Sequence, residues 1–352
     1  MANANDFLIG ANDEHGQNPP TVGKRTPIIS YLGRSFYENE FNRQAKIDFL
    51  LACLRCGFNV FDVHPELQDI SVSRRVVRAN RAGLSLLVTF AYNASGNELT
   101  FNNASGLEVY YSLYNPFPQE SRRLSEQVYE NIIKQTNRPA RKIGTLSIGV
   151  LSNVNCPSTL VEAGFMTNFE EAKLMLNPIF VNNVAEGSCM GVCNFLGVPF
   201  VPRQIQNYPL LKIGDSGKGV LALQYLLNEY GYNLSLDGRF GANTQNAVRD
   251  FQKNNNLTQD GIVGRQTWSA LLNLDPTSTV LRRGSRQSAV LFLQRLLLSY
   301  LYPITNLDGI FGAETERAVK SFQSENGLSV DSVVGPNTWR ALLNSSGRPN
   351  PN

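Results

Sequence analysis

The sequence predicts an α/β domain, built on a mostly parallel twisted sheet with helices on both faces, followed by two small three-helix domains. Three observations carry this prediction. Short apolar runs alternate with helical periodicity over residues 1–197. The composition then changes at a proline-rich stretch, and one long segment after it occurs twice.

With 352 residues and 42% hydrophobic content, the chain is long enough for two or three domains, each with its own core. A net charge of +3 and a pI near 8.5 are too mild for a nucleic-acid footprint, although they favour contact with polyanions. No apolar run reaches membrane-spanning length. Met1–Asp6 lacks the basic start and apolar core of a signal peptide, so the chain is expected to begin in the cytoplasm. The five cysteines, Cys53, Cys56, Cys156, Cys189 and Cys193, are an odd number in a long chain, which favours reduced thiols over a disulfide framework. Cys53 and Cys56 have zinc-knuckle or redox spacing, but they fall inside a helical pattern where i and i+3 share a face.

Phe7–Ala11 reads as the first strand, and Asn12–Pro20 as the loop leaving its carboxyl end, with His15 in it. A helix opens near Glu38, runs through Ala45, Phe49, Leu50 and Cys53, and stops at Gly57. Phe58–Val63 is a second strand ending in His64-Pro65. Leu84–Phe90 is a third, continuing into Ala91-Tyr92-Asn93-Ala94. Leu107–Tyr111 and Ser147–Leu151 read as two more strands, with helical patterns at 120–137 and 169–195. In Pro157–Asn168 an apolar run delivers Glu162 just before a glycine. Open α/β sheets bind ligands at such strand ends, so a carboxylate there is a candidate for chemistry.

These blocks, in this order, resemble the catalytic domain of the zinc-dependent N-acetylmuramoyl-L-alanine amidases (amidase-3 family). They are the His15-Gly16 loop, Glu38 with Asn42 four residues on, Gly57-Phe-Asn-Val60, Arg78-Ala-Asn80, Leu86–Ser95, Gly106–Tyr111 and Cys156–Asn168, the last being the most specific. The resemblance implies zinc as cofactor, His15 and Glu38 as metal ligands, and Glu162 as general base or acid. It also implies a third ligand in a His-x-Asn-Ala block, where this chain has Ala91, and a methyl group cannot coordinate a metal. A second alignment sets Leu32 at the first ligand. His64, at the same sheet edge, is a candidate to complete the site, and Tyr92 a weaker one.

Pro199–Pro209 has three prolines and no periodicity, so 198–209 reads as a linker. Leu211-Lys-Ile-Gly214 then recurs as Leu281-Arg-Arg-Gly284, Asp237-Gly-Arg-Phe-Gly241 as Asp308-Gly-Ile-Phe-Gly312, and Thr267-Trp268 as Thr338-Trp339. Each copy, at 210–274 and 280–345, carries three apolar helical stripes. The pattern resembles the peptidoglycan-binding domain found beside wall hydrolases, with Trp268, Trp339, Phe240 and Phe311 expected in the core. Asp331-Ser332 replaces Asp260-Gly261, so a strained turn is expected there. Two functional readings follow. One is an amidase cutting between N-acetylmuramic acid and L-alanine. The other is an inactive relative that only holds the wall, as a structural wall or spore protein. Both have peptidoglycan as partner, reached after lysis, phage-type release or packaging into a spore.

Overall fold

The computed structural model describes residues 2–16 and 24–349. Residues 17–20 of the loop expected after the first strand lie outside them. The chain divides into two compact units, Met1–Val201 and Pro202–Asn352.

The first unit carries six strands: β1 (Leu8–Asp13), β2 (Asn59–Asp62), β3 (Leu86–Asn93), β4 (Leu107–Tyr111), β5 (Ala140–Thr145) and β6 (Ser158–Phe165), in the order β2-β1-β3-β6-β4-β5. All pairings are parallel except β4 with β6. β3 is central and buried along its length to Tyr92. Leu87 packs with Val63, Ala79, Leu84, Val154 and Cys156, while Phe90 stacks on Phe49 at 5.4 Å. An odd residue separation puts these two side chains on opposite faces, which is why the strand reads as continuously apolar rather than alternating.

The helices of this unit are α1 (Glu38–Arg55), α2 (Val72–Ala82), α3 (Pro118–Thr136), α4 (Gly149–Ser152), α5 (Phe169–Leu174) and α6 (Pro178–Leu196). α1 begins where the Glu40 carboxylate accepts from Tyr37 N–H at 2.8 Å, closing a capping box, and it stops at Gly57, whose φ is +89°. α6 begins at Asn177, whose side chain accepts from the amides of Ile179 and Phe180, and ends at left-handed Gly197. α1 and α3 lie against the sheet and α6 packs on both. Gly187 and Gly191 permit that approach. A Cβ on Gly191 would sit 2.6 Å from Val128 Cα, and one on Gly187 2.7 Å from Ile132 Cα.

Ser147–Leu151 is not a strand. Its apolar residues Val150 and Leu151 are buried in the short helix α4, and the edge strand is β5 instead. An edge strand with exposed Ala140, Arg141 and Lys142 has no alternation to read. Helical residues 169–195 divide into α5 and α6 at Pro178.

The second unit carries α7 (Lys218–Glu229), α8 (Ala242–Asn254), α9 (Arg265–Leu272), α10 (Ser288–Ser299), α11 (Ala313–Glu325) and α12 (Pro336–Asn344). Val220, Leu223, Phe240, Val248, Phe251 and Trp268 form the core of the first copy, and their counterparts, including Phe311 and Trp339, that of the second. Each indole N–H donates to a backbone carbonyl, Trp268 to Pro209 at 2.6 Å and Trp339 to Thr279 at 2.7 Å.

A smaller repeat lies inside each copy. Gln224 Nε2 donates to Asp237 at 2.8 Å and to Arg239 O at 3.1 Å, while its Oε1 accepts from Gly238 N–H at 2.8 Å. Gln252 does the same with Asp260, Ile262 O and Gly261 N–H, each at 2.9 Å. Gln294 and Gln323 repeat the arrangement around Asp308 and Asp331. Each buried amide holds one Asp-Gly turn against a helix. At the fourth turn the glycine is Ser332, in the left-handed region at φ +64°, so the expected strain is present.

Candidate active site

The carboxyl ends of β1, β3 and β6 meet the first turn of α1. β1 runs to Asp13, and Glu14 N–H donates to Phe90 O at 3.0 Å, carrying the chain over the sheet edge. His15 follows with φ +61°, an unusual conformation for a residue with a Cβ. Gly16 lies so close to Asp69 that a Cβ would meet its backbone N at 2.2 Å. The His-Gly turn is therefore pinned against the Gln68–Asp69 loop.

Glu38 is buried at the start of α1. Its Oε1 accepts from Tyr92 N–H at 2.9 Å and from Asn42 Nδ2 at 3.1 Å, which leaves Oε2 3.7 Å from His15 Nε2. Asn42 Nδ2 also donates to Glu14 O at 2.7 Å, tying helix to loop. Glu14, His15 and Glu38 each offer one ligand atom, all within 4.8 Å of one another.

Glu162, opposite Ala91 in the β3–β6 pairing, precedes a register shift between Ala91 and Asn93. Its Oε2 is buried and, among the described residues, has no hydrogen-bond partner. Burial first, then the charges of Glu38 and Glu14, push its carboxyl well above the usual range. Burial likewise pushes Glu38 up to about 7, against the Tyr92 and Asn42 hydrogen bonds, and burial followed by the Glu38 charge raises Glu14. Two carboxyl groups against one imidazole, with the Glu162 carboxyl close enough to feel both of their charges, form a donor set that a divalent cation would neutralise. A tetrahedron with zinc bonds of about 2.1 Å has edges of roughly 3.4 Å, close to the His15–Glu38 separation. These residues fit zinc.

The site thus brings together His15, Glu38 and Glu162. It does not include His64. That ring is fully buried, with Nδ1 2.8 Å from Asp13 Oδ1, which Lys46 joins to Asp62, and Nε2 2.7 Å from Gln68 O, so both nitrogens are engaged. Tyr92 does not serve either, because its hydroxyl donates to Glu171 O at 2.8 Å and burial raises its pKa well above normal. Leu32 lies in the turn Ile29–Arg34 and has no donor atom in its side chain. Ala91 packs with Leu151 and Leu160. The residue that sequence reasoning missed is Glu14. The available signal was a carboxylate directly after the first strand and adjacent to His15.

Comparison with known proteins identifies the family, although the matched residues begin after Glu14 and His15. The family profile of the N-acetylmuramoyl-L-alanine amidases matches residues 17–194, and that of a peptidoglycan binding domain matches 216–271 and 286–342. A probable N-acetylmuramoyl-L-alanine amidase of Bacillus licheniformis is 32% identical over 157 residues, covering 38% of this chain and 44% of the relative. The N-acetylmuramoyl-L-alanine amidase CwlM of Mycobacterium tuberculosis is 35% identical over 129 residues, covering 34% and 30%. This chain therefore spans less than half the length of these curated relatives. Among solved structures, an N-acetylmuramoyl-L-alanine amidase from Clostridium difficile 630 aligns with a TM-score of 0.48 at 26% identity, over 56% of this chain and 98% of that one. With half of its length matched by the profile, the chain belongs to the N-acetylmuramoyl-L-alanine amidase family and carries two peptidoglycan-binding repeats behind that domain.

Proposed function

We propose that this protein hydrolyses the amide between N-acetylmuramic acid and L-alanine in peptidoglycan, with zinc held by Glu14, His15 and Glu38. The observation that carries the reading is the buried Glu162 Oε2, without a hydrogen-bond partner among the described residues, on a carboxyl that feels the charges of Glu38 and Glu14. Bound zinc would supply the charge that polarises the amide carbonyl and acidifies water. Glu162 takes the proton of the attacking water and returns it to the departing amine of L-alanine, a task suited to a carboxyl that burial holds well above the usual carboxylate range. Asn42 and Tyr92 N–H fix Glu38 Oε1 and leave Oε2 free on the His15 side to hold the metal that would bind there, while the pinned Gly16 turn orients His15.

The two repeats would hold the substrate polymer and raise residence through effective concentration. The first has a groove of about 770 Å³ lined by Tyr232, Asn233, Asp237, Arg239, Asn243 and Asp250, amide and charged groups suited to sugar and peptide. In the second copy Arg239, Asn243 and Asp250 are replaced by Ile310, Glu314 and Ser321, so the two copies would not grip identically. Among the described residues no helix is long and apolar enough to cross a membrane. Action at the wall after lysis, phage-type release or packaging is consistent with this reading.

The test is release of free L-alanine amino groups from muramoyl-peptide by the purified chain. Glu162→Gln should abolish release while leaving bound zinc unchanged. Absence of turnover in the zinc-loaded wild type would turn the reading to an inactive wall-holding relative.

A further inference from the structure

Four of the five cysteines converge at the far end of α1. Cys53 lies in its last turns, Cys56 caps it, and Cys189 and Cys193 come from α6. Cys53 Sγ and Cys189 Sγ are 3.8 Å apart, as are Cys189 Sγ and Cys56 Sγ, and the sulfurs of Cys56, Cys189 and Cys193 all lie within 4.8 Å of one another. A tetrahedral zinc with Zn–S bonds of about 2.3 Å needs sulfur–sulfur edges of about 3.8 Å. Cys56 Sγ also accepts the Val201 N–H at 3.3 Å, the kind of outer support that metal-bound sulfurs take. The fifth cysteine, Cys156, stands apart in the cluster of Val63, Leu84 and Leu87.

We propose that Cys56, Cys189 and Cys193, whose sulfurs form one mutually close group, hold a structural zinc separate from the catalytic one, with Cys53, 3.8 Å from Cys189, closing on it as the fourth ligand. The spacing Cys-x-x-Cys on one helix and Cys-x-x-x-Cys on another supplies two ligands from each, so the ion clamps the end of α1 to α6 and to the segment reaching Val201. A closed four-sulfur site leaves no open position for a substrate, which makes it structural. The clamp would also hold α1 in the place that sets Glu38 at the sheet edge. Binding displaces the thiol protons, so it strengthens as pH rises.

The experiment uses the full chain. After dialysis against a chelator that strips exposed zinc, the protein is titrated with an organomercurial while zinc release is followed with a metallochromic dye. One zinc per chain, released only as these thiols are consumed, is the expected result. The double variant Cys56→Ser/Cys193→Ser should lose that zinc and keep the chelator-labile one. Wild-type chain produced with cobalt in place of zinc and then dialysed against the same chelator should keep thiolate-to-cobalt charge-transfer absorption, a readout independent of whether the variant folds. Modification of all the thiols without zinc release, no such absorption with cobalt, or a mass lowered by the hydrogens of a disulfide among these residues would overturn the proposal.

Discussion

Gln252 offers a direct measure of what holds the peptidoglycan-binding repeats together. Its amide is nearly fully buried, and it gives Nε2 to Ile262 O and Asp260 and takes Gly261 N–H on Oε1. Gln252→Met keeps the length and apolar stem but removes both functions. The buried Gly261 N–H then has no acceptor, a loss of about 1–3 kcal/mol, and the bond to Ile262 O adds about 1 kcal/mol. Asp260 is exposed and regains water, and Thr267 Oγ1 still reaches Ile262 O, so neither adds much. The sum is a destabilisation of about 2–4 kcal/mol. Only two tryptophans occur in the chain, Trp268 and Trp339, one in each repeat. Urea unfolding followed by tryptophan emission in a Trp339→Phe background therefore reports the first repeat alone. A change below about 0.5 kcal/mol, the size of an ordinary surface substitution, would refute the view that the buried amides hold the turns.

Three further outcomes follow from the same reasoning. Ser332→Gly should stabilise the second repeat by about 0.5–1 kcal/mol, because it relieves a left-handed residue at some entropic cost, and Trp339 emission in urea measures it. Gly191→Ala should destabilise the first unit by about 1–3 kcal/mol despite the better helix propensity of alanine, since its Cβ meets Val128 backbone that cannot yield; far-UV circular dichroism during thermal unfolding would record the loss. Tyr232→Ala with Asn243→Ala should weaken co-sedimentation with insoluble peptidoglycan several-fold while tryptophan emission stays native, and undiminished sedimentation would remove the groove from the binding surface.

The central sheet was legible because both faces of β3 are buried, so Leu86–Phe90 could only be a strand, and because Gly57, at positive φ, ends the helix before β2. β5 was not legible. Its residues are exposed at a sheet edge, and the apolar signal lay in the neighbouring helix α4. The seventy-residue duplication was plain from Asp-Gly-x-Phe-Gly and Thr-Trp, but the finer repeat needed the hydrogen bonds of Gln224 and Gln252 to expose that Asp237-Gly238 and Asp260-Gly261 are equivalent turns. In the site, His15 and Glu38 could be placed from their positions at element ends, whereas Glu162, expected at the end of its strand, lies inside β6, which runs on to Phe165. His64 could not be judged, since only three-dimensional structure shows that Asp13 and Gln68 occupy both its nitrogens. Glu14 was hidden by its neighbour, because a strand-end carboxylate next to a histidine reads as loop until α1 is brought over it.

The account stands most directly on whether Glu14 takes the place of the ligand lost at Ala91. Equilibrium dialysis of chelator-labile zinc into wild type and Glu14→Gln decides it, since glutamine keeps the shape and removes the charge. Loss of a directly bound carboxylate should weaken zinc by more than the roughly 10–100-fold that removing a ligand's outer support costs. Wild type is expected to bind one such zinc tightly, and Glu14→Gln to bind it at least about 100-fold more weakly. Equal affinity in the two proteins would contradict the assignment of Glu14 as a ligand.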